Sequence, residues 1–429
     1  MTHSTDRLLR FLSRSPTPYH AVANIKSRLH TAGFVQLFEG DDWSRLSPGT
    51  NYYVTRNDSS LIAFKYAANP HKTGFRLVGA HTDSPCLKVK PNAITVNNGY
   101  AKLALEVYGG VLLNPWFDRD LSLAGRVTLR GDDGRIANYA IDFNRPMAFI
   151  PSLAIHLDRE ANEGRRINKQ KHLPAVLCRC DEAMDFDGIL RSQLASEYPD
   201  LIVDTILAFE LSLYDTQPAS LVGLEHEFIA SARLDNLLSC HGGLEALLNC
   251  RSNANQMLVL NDHEEVGSAS TSGAEGPFLL SVIQRLCGSE EFSQQAISHS
   301  MMISADNAHG VHPNYADLHE PDHRPMINKG PVIKLNSNQR YATNSETEAM
   351  FKHLCQQHNL PCQVVVVRSD MGCGSTIGPI TATRIGVRTI DIGVPQLGMH
   401  SIRELAGAED QATLAAALTA FYETDDWYF

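Results

Sequence analysis

The chain lacks any uninterrupted apolar stretch close to the ~20 residues that a membrane-spanning helix needs, so no such span is expected. Its opening MTHSTDRLLRFLSRS breaks the apolar residues with arginines and contains no signal-peptide core, which points to the cytoplasm. Positive charge is also in short supply. Lys and Arg number 37 against 48 Asp and Glu, and the net charge of −11 argues against nucleic-acid binding and against anionic membrane surfaces. The nine cysteines are an odd number and include no Cys-x-x-Cys pair. Cys178-x-Cys180 is the single close pair, and its one-residue spacing is poor for a structural zinc. Free buried thiols in a reducing compartment are the expectation. Internal repeats and low-complexity tracts are absent.

What is present is an ordinary globular composition, 43% hydrophobic and 20% charged. At 429 residues the chain exceeds what one core usually serves, which predicts two domains. Five apolar runs share one habit, each ending in a polar cluster. Phe75–Ala80 leads to His81-Thr82-Asp83, and Met257–Leu260 leads to His263-Glu264-Glu265-Val266-Gly267-Ser268. Met301–Ala305 ends in Asp306-Asn307-Ala308-His309, and Val364–Val367 in Arg368-Ser369-Asp370. Thr389–Val394 leads to Gly398-Met399-His400-Ser401. Continuous apolar runs read as strands of a helix-covered sheet, and ligands gather beyond the carboxyl ends of such strands.

The tandem Glu264-Glu265 is the most informative of these clusters. A desolvated carboxylate must be paired with a cation or protonated, and a metal ion is the simplest cation for two of them. Neighbouring strand side chains point to opposite faces, so one glutamate ligating while the other faces a reacting water is the easier geometry. That is the arrangement of a metallohydrolase with a general base. A solvated turn after an edge strand would also explain a lone Glu-Glu; the apolar run before it and the parallel clusters favour the metal. His81 with Asp83 two residues on suits a ligand oriented by a carboxylate. Asp235 stands at the start of a predicted helix, where an N-cap is the commoner role. With Asp306 and His400 the set of imidazoles and carboxylates suits zinc.

Around these runs the periodicity predicts helices over Asp6–Leu12, Pro18–Thr31, Asp235–Asn249, Ser345–His358 (with a Ser345/Glu348 capping box) and Gln411–Tyr422. Asn51–Val54 and Ser60–Tyr66 alternate like strands. Ala124–Phe143 reads as a hairpin about Asp132-Asp133-Gly134, and Ser152–His156 and Leu201–Leu213 as further β-like or apolar stretches. The expected fold is α/β, a metallopeptidase-type mixed sheet flanked by helices, with residues 1–92 and 230–429 forming the catalytic domain. Residues 93–229 would be an inserted β-rich domain.

Seven blocks in order carry a resemblance along the whole chain: His81–Pro85, Ser231–Asn236, Asp262–Ser268, Ser304–His309, Asn338–Thr343, Ser375–Pro379 and Gly398–Ser401. The chain resembles the aspartyl aminopeptidase family, zinc exopeptidases with a co-catalytic metal pair. The resemblance implies that Asp235 bridges two zinc ions. His81 and Asp306 would complete one and Glu265 and His400 the other, with Glu264 as general base and Asp83 orienting His81. Manganese or cobalt could take the same ligands. Peptide substrates and cleavage of the N-terminal residue are implied, Asp or Glu by preference, through Lys334 and Tyr341 in the specificity pocket and His309 near the metals. Read on its own, Lys334 is a surface lysine at the end of an apolar segment. The resemblance further implies a tetrahedral dodecamer assembled through the insert, in which His156 reaches a neighbour's active site; by itself His156 is an exposed loop histidine. The rival readings are an aminopeptidase of neutral or hydrophobic N-termini on the same scaffold, and a non-catalytic assembly or cargo protein.

Overall fold

A computed structural model describes residues 3–252 and 254–424. Their contacts divide them into two compact units: the described residues up to 83, 219–399 and from 404 on form the first, and 84–218 with 400–403 the second. The dividing points lie at 84 and 218 rather than at the 93 and 229 read from composition, and pairing explains both shifts. Cys86–Asn97 is one continuous strand paired with Tyr100–Tyr108, so Ala93 falls inside it. Phe228–Ser231 pairs with Glu404–Gly407 in the first unit.

The first unit is a mixed α/β structure. Its nine-stranded sheet runs in the order Val35–Leu37, Asn51–Arg56, Ser60–Lys65, Gln256–Asn261, Arg76–His81, Met301–Ala305, Arg388–Gly393, Val332–Leu335, Gln363–Val366. The four strands Gln256–Asn261, Arg76–His81, Met301–Ala305 and Arg388–Gly393 are mutually parallel. The first three are buried throughout. Parallel strands covered on both faces need apolar residues at every position, which is why they read as unbroken runs. Helix Leu234–Asn249 packs on one side with Val78, Leu258 and Leu418. Phe278–Cys287 lies with Leu77, Val259 and Met302 in a separate apolar cluster.

Two expectations shift here. The valine run becomes the half-buried edge strand Gln363–Val366, and it lies parallel to Val332–Leu335, which is itself antiparallel to Arg388–Gly393. Its carboxyl end therefore does not join those of the central strands, and Arg368 and Asp370 pair with each other instead. The capping box at helix Ser345–Gln357 sits one residue earlier than Ser345/Glu348: the Asn344 side chain accepts the Thr347 N–H, and the Thr347 hydroxyl accepts the Asn344 N–H in return. Asn and Ser cap about equally well, so the local geometry decides between them.

A five-stranded sheet completes the first unit, in the order Ser220–Val222, Phe228–Ser231, Glu404–Gly407, Pro395–Leu397, Ala308–His309.

The second unit is built on a six-stranded antiparallel sheet with its own apolar core, including Leu103, Leu123, Val127 and Leu211. Leu121–Gly131 and Ile136–Asp142 form the expected hairpin, with Gly134 at φ 76° in its turn. Ser152–His156, read as β-like, forms no strand. Leu157 donates to Ala154 in a turn there, so the segment spends its local bonding on itself.

Candidate metal centre

Near the carboxyl ends of the parallel strands, several of the residues singled out in the clusters come together. His81 ends its strand and is 1% exposed. Its Nδ1 meets the main-chain carbonyl of Asp83 at 3.1 Å, which leaves Nε2 facing Asp235 Oδ1 at 3.4 Å and Asp306 Oδ1 at 3.6 Å. An imidazole whose outer nitrogen is committed to an acceptor presents the other nitrogen as a ligand.

Asp235 is not an N-cap. It and Asn236 have non-helical dihedrals at the start of Leu234–Asn249, joined by a cis peptide bond. The Asp235 N–H donates to Glu404 Oε2 at 3.0 Å, and the Asn236 amide donates to the Ala305 carbonyl at 2.9 Å. These bonds hold the aspartate away from the helix and beside His81.

Beyond Gln256–Asn261 the chain winds into a short 3-10 turn, Glu264–Val266, entered through His263 and left through Gly267, both at positive φ. The turn resolves the strand problem of adjacent glutamates, because both are now presented from one tight loop. Asp83 secures it: Oδ1 accepts the Glu264 N–H at 3.1 Å and Oδ2 the Glu265 N–H at 3.0 Å.

Electrostatics follow from five carboxylates around one imidazole. Burial works against charging His81, but contacts with Asp235, Asp306 and Asp83 outweigh it and raise its pKa well above the ordinary value. Burial and then the neighbouring Asp306, Asp83 and Asp235 push Glu264 up to about 7. Glu265 rises well above the usual carboxylate range, by burial first and by Asp235 after it. So much buried negative charge calls for cations. The donor set fits that demand: ligand atoms of His81, Asp235 and Glu265 all lie within 4.8 Å of one another. One imidazole among carboxylates is a set that zinc accepts.

The other predicted residues fall in different places. Lys334 is buried rather than on the surface, with Nζ 3.4 Å from Asp306 Oδ2 and 5.4 Å from the Tyr341 ring. Tyr341 and His309 line a pocket of about 330 Å³ with His319, Cys373 and Met399, whose walls include none of the clustered carboxylates. His400 groups with the second unit, where its Nδ1 is 3.2 Å from the Gly110 carbonyl. His156 is exposed in the turn of the second unit.

Three contributors had no local signature. Glu404, buried in a short strand, holds the Asp235 backbone. The Cys240 thiol donates to the His81 carbonyl at 3.0 Å. Burial pushes that thiol up to about 12, so it stays a donor. Asp391 is the third, a fully buried carboxylate that acts on Lys334's side of the sheet.

A family model described as aminopeptidase I zinc metalloprotease (M18) matches residues 11–422. The chain belongs to the M18 family. A probable M18 family aminopeptidase 2 of Pseudomonas entomophila is 58% identical over 420 residues, 97% of each chain. The corresponding Pseudomonas aeruginosa protein is 57% identical over 98% of both chains. Among solved structures, one of an Ape4 and Nbr1 complex matches 98% of this chain and 85% of that chain, with 39% identity and a TM-score of 0.93. The yeast mApe1 dodecamer matches 98% of this chain and 96% of that chain, at 26% identity and a TM-score of 0.84. This M18 chain is therefore a metallo-aminopeptidase, a peptide-bond hydrolase of a zinc-dependent family, with the family's α/β fold. Among the described residues no helix is long and apolar enough to cross a membrane.

Proposed function

We propose that the chain removes the N-terminal residue of peptides, preferring Asp or Glu, with Glu264 as general base. The observation that carries this reading is the Glu264–Val266 turn, in which Asp83 accepts the N–H groups of both glutamates and so holds the Glu264 carboxylate beside the ligand cluster. A positioned carboxylate within reach of a reacting water is what proton transfer requires.

Two zinc ions are proposed, with manganese or cobalt as alternatives. His81, Asp235 and Asp306 would hold one. Glu265 and Asp235 would hold the other, and His400 is added to it on family resemblance alone. Zinc bound there would acidify water and draw charge from the scissile carbonyl. Glu264 takes the proton of the attacking water and returns it to the departing amine. Asp83 holds the turn that carries Glu264 and, through its main-chain carbonyl, orients His81. Lys334 and Tyr341 line the side of the site where the substrate's first side chain is received, with His309 on the neighbouring wall. An ammonium there attracts an acidic side chain, and the overall charge of −11 means that any acidic preference arises locally.

One observation favours the neutral or hydrophobic alternative: the Lys334 ammonium already pairs with Asp306. A panel of N-terminal aminoacyl reporters, run on metal-free protein and with each metal restored, decides between them. Faster cleavage of aspartyl and glutamyl reporters supports the acidic reading, and faster cleavage of leucyl reporters overturns it.

For assembly, a homo-oligomer, a tetrahedral dodecamer formed through the β-rich unit, is proposed, with His156 reaching a neighbour's site. Its support is the dodecameric yeast relative and the exposed apolar Leu153, Ile155 and Leu157 around His156. A cytoplasmic location is proposed with it. Light scattering that finds an active monomer would remove the assembly reading.

A further inference from the structure

Apart from the ligand cluster, Asp391 and Asp410 are both fully buried carboxylates, and Asp391 is the one with partners next to Tyr341 in the chain. Asp391 lies in strand Arg388–Gly393. Its Oδ2 accepts the Ala342 N–H at 2.6 Å, and its Oδ1 accepts the Thr376 hydroxyl at 2.6 Å. Its own N–H donates to Thr343 Oγ1 at 3.0 Å. Gly378, in the first turn of helix Ile377–Ile385, makes the room for it: a Cβ there would stand 2.3 and 2.4 Å from the two carboxylate oxygens.

Two of these partners, Ala342 and Thr343, directly follow Tyr341. The stretch between strand Val332–Leu335 and helix Ser345–Gln357 has no regular structure of its own, and Gln339 within it has φ 56°. A ring on such a stretch keeps its place only if the backbone is tied elsewhere. Asp391 supplies that tie from the rigid centre of the sheet. Tyr341 in turn is 7% exposed, 5.4 Å from Lys334 Nζ, and lines the pocket.

We propose that Asp391 is a positioning residue for substrate binding: by anchoring Ala342 and Thr343 it holds the Tyr341 ring against Lys334 and so fixes the wall that receives the substrate's first side chain. The inference rests on the reading of Lys334 and Tyr341 given above. Asp391 touches no reacting atom in this scheme, so its loss acts on KM and selectivity while the chemical step is spared.

The test is steady-state kinetics of the metal-loaded protein on aspartyl and leucyl reporters. Asp391→Ala should raise KM for the preferred reporter about tenfold or more, the scale of effect that a small misplacement of a positioning group produces, with kcat and metal content little changed. Asp391→Asn keeps an acceptor for Ala342 and a partner for Thr376, and should restore most of the KM. Gly378→Ala displaces the carboxylate without deleting it and should reproduce the KM rise, which keeps the test open if Asp391→Ala does not fold. Thr376→Val removes only the helix-side bond and should leave KM near wild type.

Unchanged KM in Gly378→Ala, or an equal rise in Thr376→Val, would overturn the inference. So would an Asn variant as impaired as Ala. Tyr341→Ala separates the two levels. If it leaves KM unchanged, the pocket reading itself is wrong. If it raises KM while Gly378→Ala does not, only the role of Asp391 fails.

Discussion

Asp83 Oδ1 accepts the backbone N–H of Glu264 at 3.1 Å, and its second oxygen does the same for Glu265 at 3.0 Å. One carboxylate thereby sets the direction of both glutamates, while the same residue's main-chain carbonyl holds His81. Asp83→Asn leaves one N–H facing an amide donor, because an amide accepts through oxygen only. Turnover should fall ~10–100-fold with weaker metal retention, the usual scale for a residue that supports metal ligands. Kinetics paired with elemental analysis checks this; wild-type turnover in a folded, fully loaded variant would refute it.

Glu264→Gln should lower turnover by ~10²–10⁴-fold, the typical contribution of a general base, in a protein that stays folded and keeps its metal. Asp235→Asn should lose metal as well as rate, because Asp235 shares the ligand cluster with His81 and Glu265. Metal content separates the two variants. A Gln variant with near-normal turnover would move the base elsewhere.

Lys334→Leu should reduce the preference for acidic over leucyl substrates by roughly 2–5 kcal/mol, the range for removing one partner of a buried charge pair. It also strips Asp306 of its 3.4 Å cation, so metal affinity should shift as well. A variant with altered metal affinity and unchanged selectivity would assign Lys334 to Asp306 alone.

His241 makes the stability sensitive to acid. It is fully buried on helix Leu234–Asn249, facing Phe11, Gln411 and Glu245. Burial lowers its pKa to about 4, Glu245 opposes that, and Arg28 and Arg7 reinforce it. As pH falls below the ordinary histidine value of 6.5 the unfolded chain takes up the proton first, so stability present above 6.5 is lost progressively down to about 4. The loss amounts to about 3 kcal/mol. Denaturant unfolding of His241→Phe across this window should show a flatter acid limb than wild type, whatever the variant's stability at neutral pH. Parallel limbs would exclude His241 as the source.

The central sheet was legible because burial on both faces demands unbroken apolar runs, as in Arg76–His81 and Met301–Ala305. The edge strand Gln363–Val366 has just as apolar a sequence, yet it lies half-buried at the margin. Local hydrophobicity does not encode strand direction or position in the sheet. The capping of helix Ser345–Gln357 missed by one residue for a related reason, since Asn344 and Ser345 are both good caps and geometry chose between them.

By itself the sequence determined that carboxylates and an imidazole follow apolar strands, and that Glu264 and Glu265 sit together where a cation would be needed. Those facts depend only on neighbours in the chain. The tertiary structure alone decided that Asp235 leaves its helix to meet His81, that Glu404 lies 169 positions away yet holds it there, and that Lys334 is buried against Asp306. Each is a contact between distant segments, fixed by sheet register and by the cost of leaving a buried polar group unsatisfied, and neither leaves a pattern in adjacent residues.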